Sequence, residues 1–215
     1  MKKIAVVLSG CGVYDGAEIH EAVLTMLAIA ANGAAYEIFA PDIDQHHVVN
    51  HLHGSEMDET RNVLIESARI ARGKIKALGE FSGKEFDAII FPGGFGAAKN
   101  LSTFAFDGSN CLVNGDVEAA IKEMITLGKP IGALCISPVI LAKILGDVEL
   151  TIGDDADTIQ AIEEMGATHR TTTHGEVVID QRYKIVTTPC YMLDATITQI
   201  DEGARNVVKA ILMMI

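Results

Sequence analysis

Lys129-Pro130-Ile131-Gly132-Ala133-Leu134-Cys135-Ile136-Ser137-Pro138 is the stretch on which the chain turns. An apolar run with the character of a buried strand stops at Cys135. A helical pattern starts almost at once, through Val139, Ile140, Leu141 and Leu145. A side chain on so sharp a strand-to-helix turn sits in a strained backbone conformation, and bulky neighbours two positions away would collide with it. Those positions hold Ala133 and Ser137. Pro138 suits the first helical turn, where its missing N–H costs nothing. The spacing therefore predicts a nucleophile elbow with Cys135 as nucleophile, its thiolate favoured by the positive end of the helix that follows. The bland alternative is a small buried hydrophobe, the common fate of a free cysteine.

Outward from this stretch, strands alternate with helices. Lys3 to Ser9, Ala35 to Ala40, Phe86 to Phe91 and Ile131 to Leu134 read as buried strands. Ala17 to Asn32, Glu59 to Ala71, Asp116 to Leu127, Asp157 to Met165 and Ala195 to Met213 read as helices. Glu149 to Ile152 reads as a short extended piece, and Glu176 to Asp180 with Lys184 to Thr188 as a hairpin. In the first helix, Ile19, Val23, Met26, Leu27 and Ala30 recur at helical spacing and are expected to face the core. Alternation of this kind predicts an α/β fold with a mostly parallel sheet covered on both faces, plus a β-hairpin in the C-terminal half. Residues 1–215 are read as one domain, with no repeat or linker.

Composition narrows the function classes. Hydrophobic residues make up 49% of the 215 positions, too many for disorder. A net charge of −12 repels phosphate backbones, so nucleic acid is not an expected partner. No apolar run reaches membrane-spanning length and no cleavable leader follows Met1-Lys2-Lys3, so membrane association is not expected and the cytoplasm is the expected location. Cys11, Cys111, Cys135 and Cys190 lie far apart in sequence, which reads as four reduced thiols rather than a disulfide framework.

Ligands of open α/β sheets sit beyond the carboxyl ends of the strands. Three loops there carry chemistry: Gly10 to Gly16, Pro92 to Gly96, and the turn at Cys135. The backbone N–H of Gly94, with that of Ile136, is a candidate oxyanion hole, and Gly93 beside it is a candidate substrate-binding position. Asn100 either orients a polar substrate or caps the turn at Leu101. Glu21 lies off the apolar face of its helix, as a solvated acid would near a helix N-terminus, as does its neighbour Glu18. His46, His47, His51 and His53 crowd one loop, Asp42 to Met57, in a spacing that matches no metal-ligand pattern, so no metal is expected. Gly10-x-Gly12-x-x-x-Gly16 approaches a dinucleotide fingerprint, but its last glycine comes one residue late and Val13-Tyr14-Asp15 is bulky where pyrophosphate would rest.

Pro92-Gly93-Gly94-Phe95-Gly96-Ala97-Ala98-Lys99-Asn100-Leu101 together with the elbow resembles the PfpI and class I glutamine amidotransferase-like superfamily. Leu8 to Gly16, Thr60 to Glu66 and Lys184 to Pro189 resemble its ElbB branch, known as isoprenoid-biosynthesis or glyoxalase proteins. The resemblance runs over nearly the whole chain. It implies a flavodoxin-like three-layer sandwich, a homodimer, and an acid hydrogen-bonded to the elbow cysteine; aligned through Glu18 to Val23, that acid is Glu21. It implies a glutathione-independent glyoxalase that acts on a small dicarbonyl through Cys135, with no cofactor. Many relatives carry a histidine near the cysteine, but Thr151-Ile152-Gly153-Asp154 has none. His169 and His174 are later candidates for the base, and His174-Gly175-Glu176 resembles the His-x-Glu pair of glutamine amidotransferases. A non-enzymatic redox sensor or metabolic interaction protein, using an oxidisable Cys135, is the other reading.

Overall fold

Strand β1, Lys3–Val7, is a short β-branched run whose residues from Ile4 onward are inaccessible to solvent. The computed structural model, which describes all 215 residues, places it near the middle of a seven-stranded sheet. Beside it run β2, Ala35–Ala40, and, beyond a small hairpin of β3, Val49–Asn50, and β4, Ser55–Glu56, the edge strand β5, Ile75–Ala77. On its other side lie β6, Ala88–Phe91, then β7, Ile131–Leu134. A separate pair, β8, Glu149–Leu150, and β9, Thr168–His169, precedes β10, Val178–Asp180, and β11, Ile185–Thr188. The sheet order is β10-β11-β7-β6-β1-β2-β5, parallel throughout except for the antiparallel β10–β11 hairpin. Every residue of β6, β7 and β11 is buried, which a parallel sheet achieves only when helices cover both faces. The α/β class, the mostly parallel sheet and the hairpin expected from the sequence are all present.

The helices are α1, Ile19–Ala31; α2, Val63–Ile70; the short α3, Phe95–Lys99, and α4, Phe104–Asp107; α5, Gly115–Thr126; α6, Pro138–Leu145; α7, Ala156–Glu164; and α8, Ile197–Leu212. None is long and apolar enough to cross a membrane. Helices α1 and α8 lie side by side, and α8 crosses the sheet so closely that a methyl group on Gly132 of β7 would stand 2.8 Å from Ile211 and 3.0 Å from Val207.

Two expectations are corrected. Helix α1 turns a different face inward, and of the expected stripe Met26 alone is buried. Glu21, Ala22, Thr25, Met26, Ala28 and Ile29 are buried, while Ile19, Val23 and Leu27 are 43%, 45% and 50% exposed. Helix α1 packs beside α8, and the stripe that this packing buries is not the one that the large apolar residues of α1 mark. Helix α2 starts at Val63 rather than Glu59, because Asn62 Oδ1 accepts the N–H of Ile65 at 3.0 Å and caps the helix there. Its buried side is Val63, Glu66 and Ser67; Arg69 neutralises Glu66 at 2.8 Å, and Ser67 Oγ accepts the N–H of Gly10 at 2.9 Å. Strand β5, three residues with a lysine at its centre, carries too little pattern to be read from sequence.

Candidate functional site

Because the strands are parallel, the carboxyl ends of β1, β6, β7 and β11 open on one edge of the sheet. The loops that leave them are Ser9–Gly16, Pro92–Gly94, Cys135–Ser137 and Pro189–Tyr191.

Cys135 follows the last residue of β7 with φ +61°, a conformation a non-glycine residue keeps only where its surroundings enforce it. Its N–H donates to Thr188 O at 3.0 Å, and Ser137 Oγ donates to Pro92 O at 2.9 Å, so the neighbouring strands clamp the turn on both sides. Glu21, one turn into α1, has no solvent-accessible surface. Its Oε2 accepts the N–H of Gly93 at 2.8 Å, its Oε1 accepts the N–H of Tyr191 at 3.3 Å, and its carboxyl group hydrogen-bonds the thiol of Cys135. The N–H groups of Gly94 and Ile136 both point at the sulfur, and neither is taken by a backbone carbonyl. The structure thus brings Cys135, Glu21, Gly93, Gly94 and Ile136 to one point.

The glycines are there for close approach. A methyl group on Gly93 would overlap Cys135 Cβ and lie 2.7 Å from Glu21 Oε2 and 3.0 Å from Cys135 Sγ. Gly94 has φ +100°, and a methyl group on it would overlap the backbone of Gly16 and Glu18. Gly93 O accepts the N–H of Glu18 at 2.7 Å, Val13 O that of Phe95 at 2.7 Å, and Gly16 O that of Gly96 at 2.9 Å. The loops after β1 and β6 therefore meet backbone to backbone. Gly93→Ala is expected to push the thiol and carboxyl apart. Differential scanning calorimetry should show a loss of about 1–3 kcal/mol, and the thiol–carboxyl hydrogen bond should disappear from a crystal structure of the variant.

Burial pushes the Glu21 carboxyl up to about 8, aided by the charge of Glu18; the N–H groups of Tyr191 and Gly93 resist. Burial also pushes the Cys135 thiol well above its ordinary value, with the Glu21 charge second, against the pull of the Gly94 and Ile136 N–H groups. This corrects the expectation of a resting thiolate, because desolvation outweighs the helix terminus. The resting pair is a carboxylic acid beside a thiol, and the two titrate as a unit. The sulfur is also less open than the sequence suggests: Cys135 is 6% exposed, and none of the four main cavities is lined by it.

Asn100 does not face the site. Its Nδ2 donates to Ser9 O at 2.9 Å and Asp15 O at 2.8 Å, and its Oδ1 accepts the N–H of His46 at 3.0 Å. A buried amide that satisfies three backbone groups at once is a loop staple. Asn100→Ala should lower stability by about 2–4 kcal/mol in a urea titration and leave the KM for a small substrate within about twofold.

The histidines also find structural places. His51 accepts the N–H of Tyr14 through Nε2 at 3.1 Å and bonds Val49 O through Nδ1 at 3.0 Å. His46 stacks on Phe106 with ring centroids 4.0 Å apart, beside His47. His174 Nε2 bonds Asp194 O at 3.0 Å, and His169 sits in β9 against Gly153. Neither shares a hydrogen bond with Cys135 or Glu21. The Gly10–Gly16 loop closes on itself, with Gly12 N–H on Ala17 O at 2.9 Å and Gly16 N–H on Gly12 O at 2.7 Å, which leaves no phosphate cradle.

The loop after β11 escaped the sequence reading. It supplies the Tyr191 N–H to Glu21, the Tyr191 hydroxyl to His20 Nδ1 at 2.8 Å, and a second buried thiol, Cys190. Its one sequence signal is Pro189 directly after a β-branched strand. Glu18, the N-cap of α1, accepts the N–H of Glu21 at 2.7 Å and orients the turn that carries the acid.

No family model matches the chain. It is 49% identical over 220 residues to the human "Glutamine amidotransferase-like class 1 domain-containing protein 3, mitochondrial", covering 98% of this chain and 82% of that protein. The crystal structure of an isoprenoid biosynthesis protein with an amidotransferase-like domain from Ehrlichia chaffeensis superposes with a TM-score of 0.92 at 35% identity, over 99% of this chain and 100% of that one. Glyoxalase III from Candida albicans shares the fold, with a TM-score of 0.63 at 15% identity over 99% of this chain and 97% of that one.

Proposed function

We propose, from the premise that the chain belongs to the glutamine amidotransferase-like class 1 family of the PfpI/DJ-1 superfamily, that it is a cofactor-independent glyoxalase acting on glyoxal or a similar small dicarbonyl. The observation that supports this most is the hydrogen-bonded pair of Cys135 and Glu21 beneath the N–H groups of Gly94 and Ile136. Sulfur adds to one aldehyde carbon, and the carbonyl oxygen takes the thiol proton to give a hemithioacetal. Glu21, ionised for this step, removes the remaining hydrogen of that carbon as a proton and delivers it to the second carbon. One carbon is thereby oxidised to a thioester and the other reduced to an alcohol, with no external electron acceptor. Water cleaves the thioester, releasing glycolate and restoring the thiol. The two N–H groups stabilise the oxygen that carries negative charge in the addition and in the hydrolysis.

A carboxyl group with its pKa near 8 suits this work, because a base is most effective when its pKa lies close to the working pH. A second reading, redox sensing through Cys135, is favoured by the second buried thiol at Cys190. The test is to incubate the protein with carbon-13 glyoxal in heavy water and follow the products by NMR. The expected product is glycolate, formed in step with glyoxal loss, with deuterium on its alcohol carbon only to the extent that the proton held by Glu21 exchanges with solvent before delivery. Loss of glyoxal without glycolate overturns the glyoxalase reading.

A further inference from the structure

We propose that Cys190 is a resolving thiol for Cys135, so that oxidation by a hydroperoxide closes a reversible Cys135–Cys190 disulfide. The inference takes the nucleophile of the glyoxalase reading but not its substrate.

The two cysteines are far apart in sequence and adjacent in the sheet. Leu134 and Thr188 are register partners at the ends of β7 and β11. The Cys135 N–H then bonds Thr188 O, which carries the parallel register one step further and sets Cys135 opposite Pro189. Strand spacing of about 4.8 Å and one Cα–Cα step of about 3.8 Å from Pro189 keep the two Cα atoms within about 9 Å of each other. A disulfide spans about 4.4–6.8 Å between Cα atoms.

Both sulfurs lie on the same side of the sheet. Cys135 is bonded to Glu21 of α1, whereas Cys190 Sγ lies where a methyl group on Gly203 of α8 would be 3.3 Å away; α1 and α8 are neighbours. Both cysteines adopt left-handed backbone, φ +61° and +43°, in turns where strand alternation no longer separates their side chains. Cys190 is 5% exposed, yet it feels the charges of Glu21 and of Cys135. No step of the glyoxalase chemistry uses it.

The chemistry balances with a hydroperoxide as oxidant. Cys135 thiolate attacks the peroxide bond, takes one oxygen and becomes sulfenic acid, while the other oxygen leaves as hydroxide or alkoxide. Cys190 sulfur then attacks the sulfenic sulfur, the S–S bond forms, and the hydroxyl group departs with the Cys190 proton as water. Two thiols and one peroxide become one disulfide, with water and the reduced peroxide as the other products. Glu21 accepts or donates the proton at each stage because its carboxyl group touches Cys135.

The test uses the intact protein and two equivalents of hydrogen peroxide, enough to carry one thiol to sulfinic acid, followed by alkylation and peptide mass spectrometry without reductant. The expected wild-type product has lost two hydrogens, with the Cys135 and Cys190 peptides linked, and dithiothreitol restores both thiols. Cys190→Ala and Cys190→Ser should instead take up two oxygens at Cys135, forming sulfinic acid at least about 10-fold faster than wild type. The proposal is overturned if wild type accumulates sulfinic acid as fast as the variants, or if Cys135 links to Cys11 or Cys111. Should either variant fail to fold, the linked wild-type peptide decides alone. Untreated protein that does not convert glyoxal refutes the glyoxalase reading and leaves this readout intact.

Discussion

Replacing Cys135 by serine is expected to lower glyoxal turnover by at least about 10³-fold. A hydroxyl group ionises far less readily than a thiol, and an ester intermediate replaces the thioester. The substitution is nearly isosteric, keeps a polar atom on Glu21 and places no new demand on the left-handed backbone. Stability should therefore stay within about 1 kcal/mol of wild type. Glycolate formation by NMR measures the first quantity and urea denaturation the second. A variant that keeps a tenth of the activity removes the nucleophile from the scheme.

The second large effect is at Glu21. Glutamine fits the same space but neither removes nor returns a proton, so kcat should fall by about 10²–10⁴-fold with KM little changed. Wild-type kcat should climb with pH as the carboxyl group ionises, levelling off above about 8. Stability carries an independent signature. The folded carboxyl group titrates near 8 rather than at its ordinary 4.5, so the folded state binds its proton more tightly. The stabilisation tied to that proton is complete below about 4.5, declines as pH rises, and is gone above about 8. At about 1.4 kcal/mol per pH unit, wild type loses on the order of 5 kcal/mol relative to Glu21→Gln across that window. Urea titrations of both proteins at pH 5 and pH 8.5 measure the difference. A constant gap between them would show that Glu21 is ionised throughout.

The elbow was legible because its requirements are local: an apolar strand, small residues at 133 and 137, and Pro138 at the start of a helix. The sheet was legible for the same reason, as runs such as Lys3–Val7 and Ala88–Phe91 admit little else. Helix α1 was not. Its periodicity points to Ile19, Val23 and Leu27, but the inward side is the one packed with the sheet and α8, which no window of α1 contains. Glu21 accordingly looks like a solvated acid in sequence and is fully enclosed in the fold. Asn100 shows the reverse error: its polarity suggests substrate, but its three hydrogen bonds go to backbone atoms from two other loops. Cys190 and Tyr191 were invisible because they reach Glu21 only through the pairing of β11 with β7.

The seam where Gly93, Gly94 and Gly96 meet the backbone of residues 13 to 18 bears on how this scaffold can be re-engineered. Gly16, Gly93, Gly94 and Gly96 have no spare volume, so a library that diversifies these glycines yields mostly misfolded variants. Bulkier aldehydes are better sought by changing His20 and Tyr191, which bond each other beside Glu21, or by transplanting both sides of the seam together as one cassette.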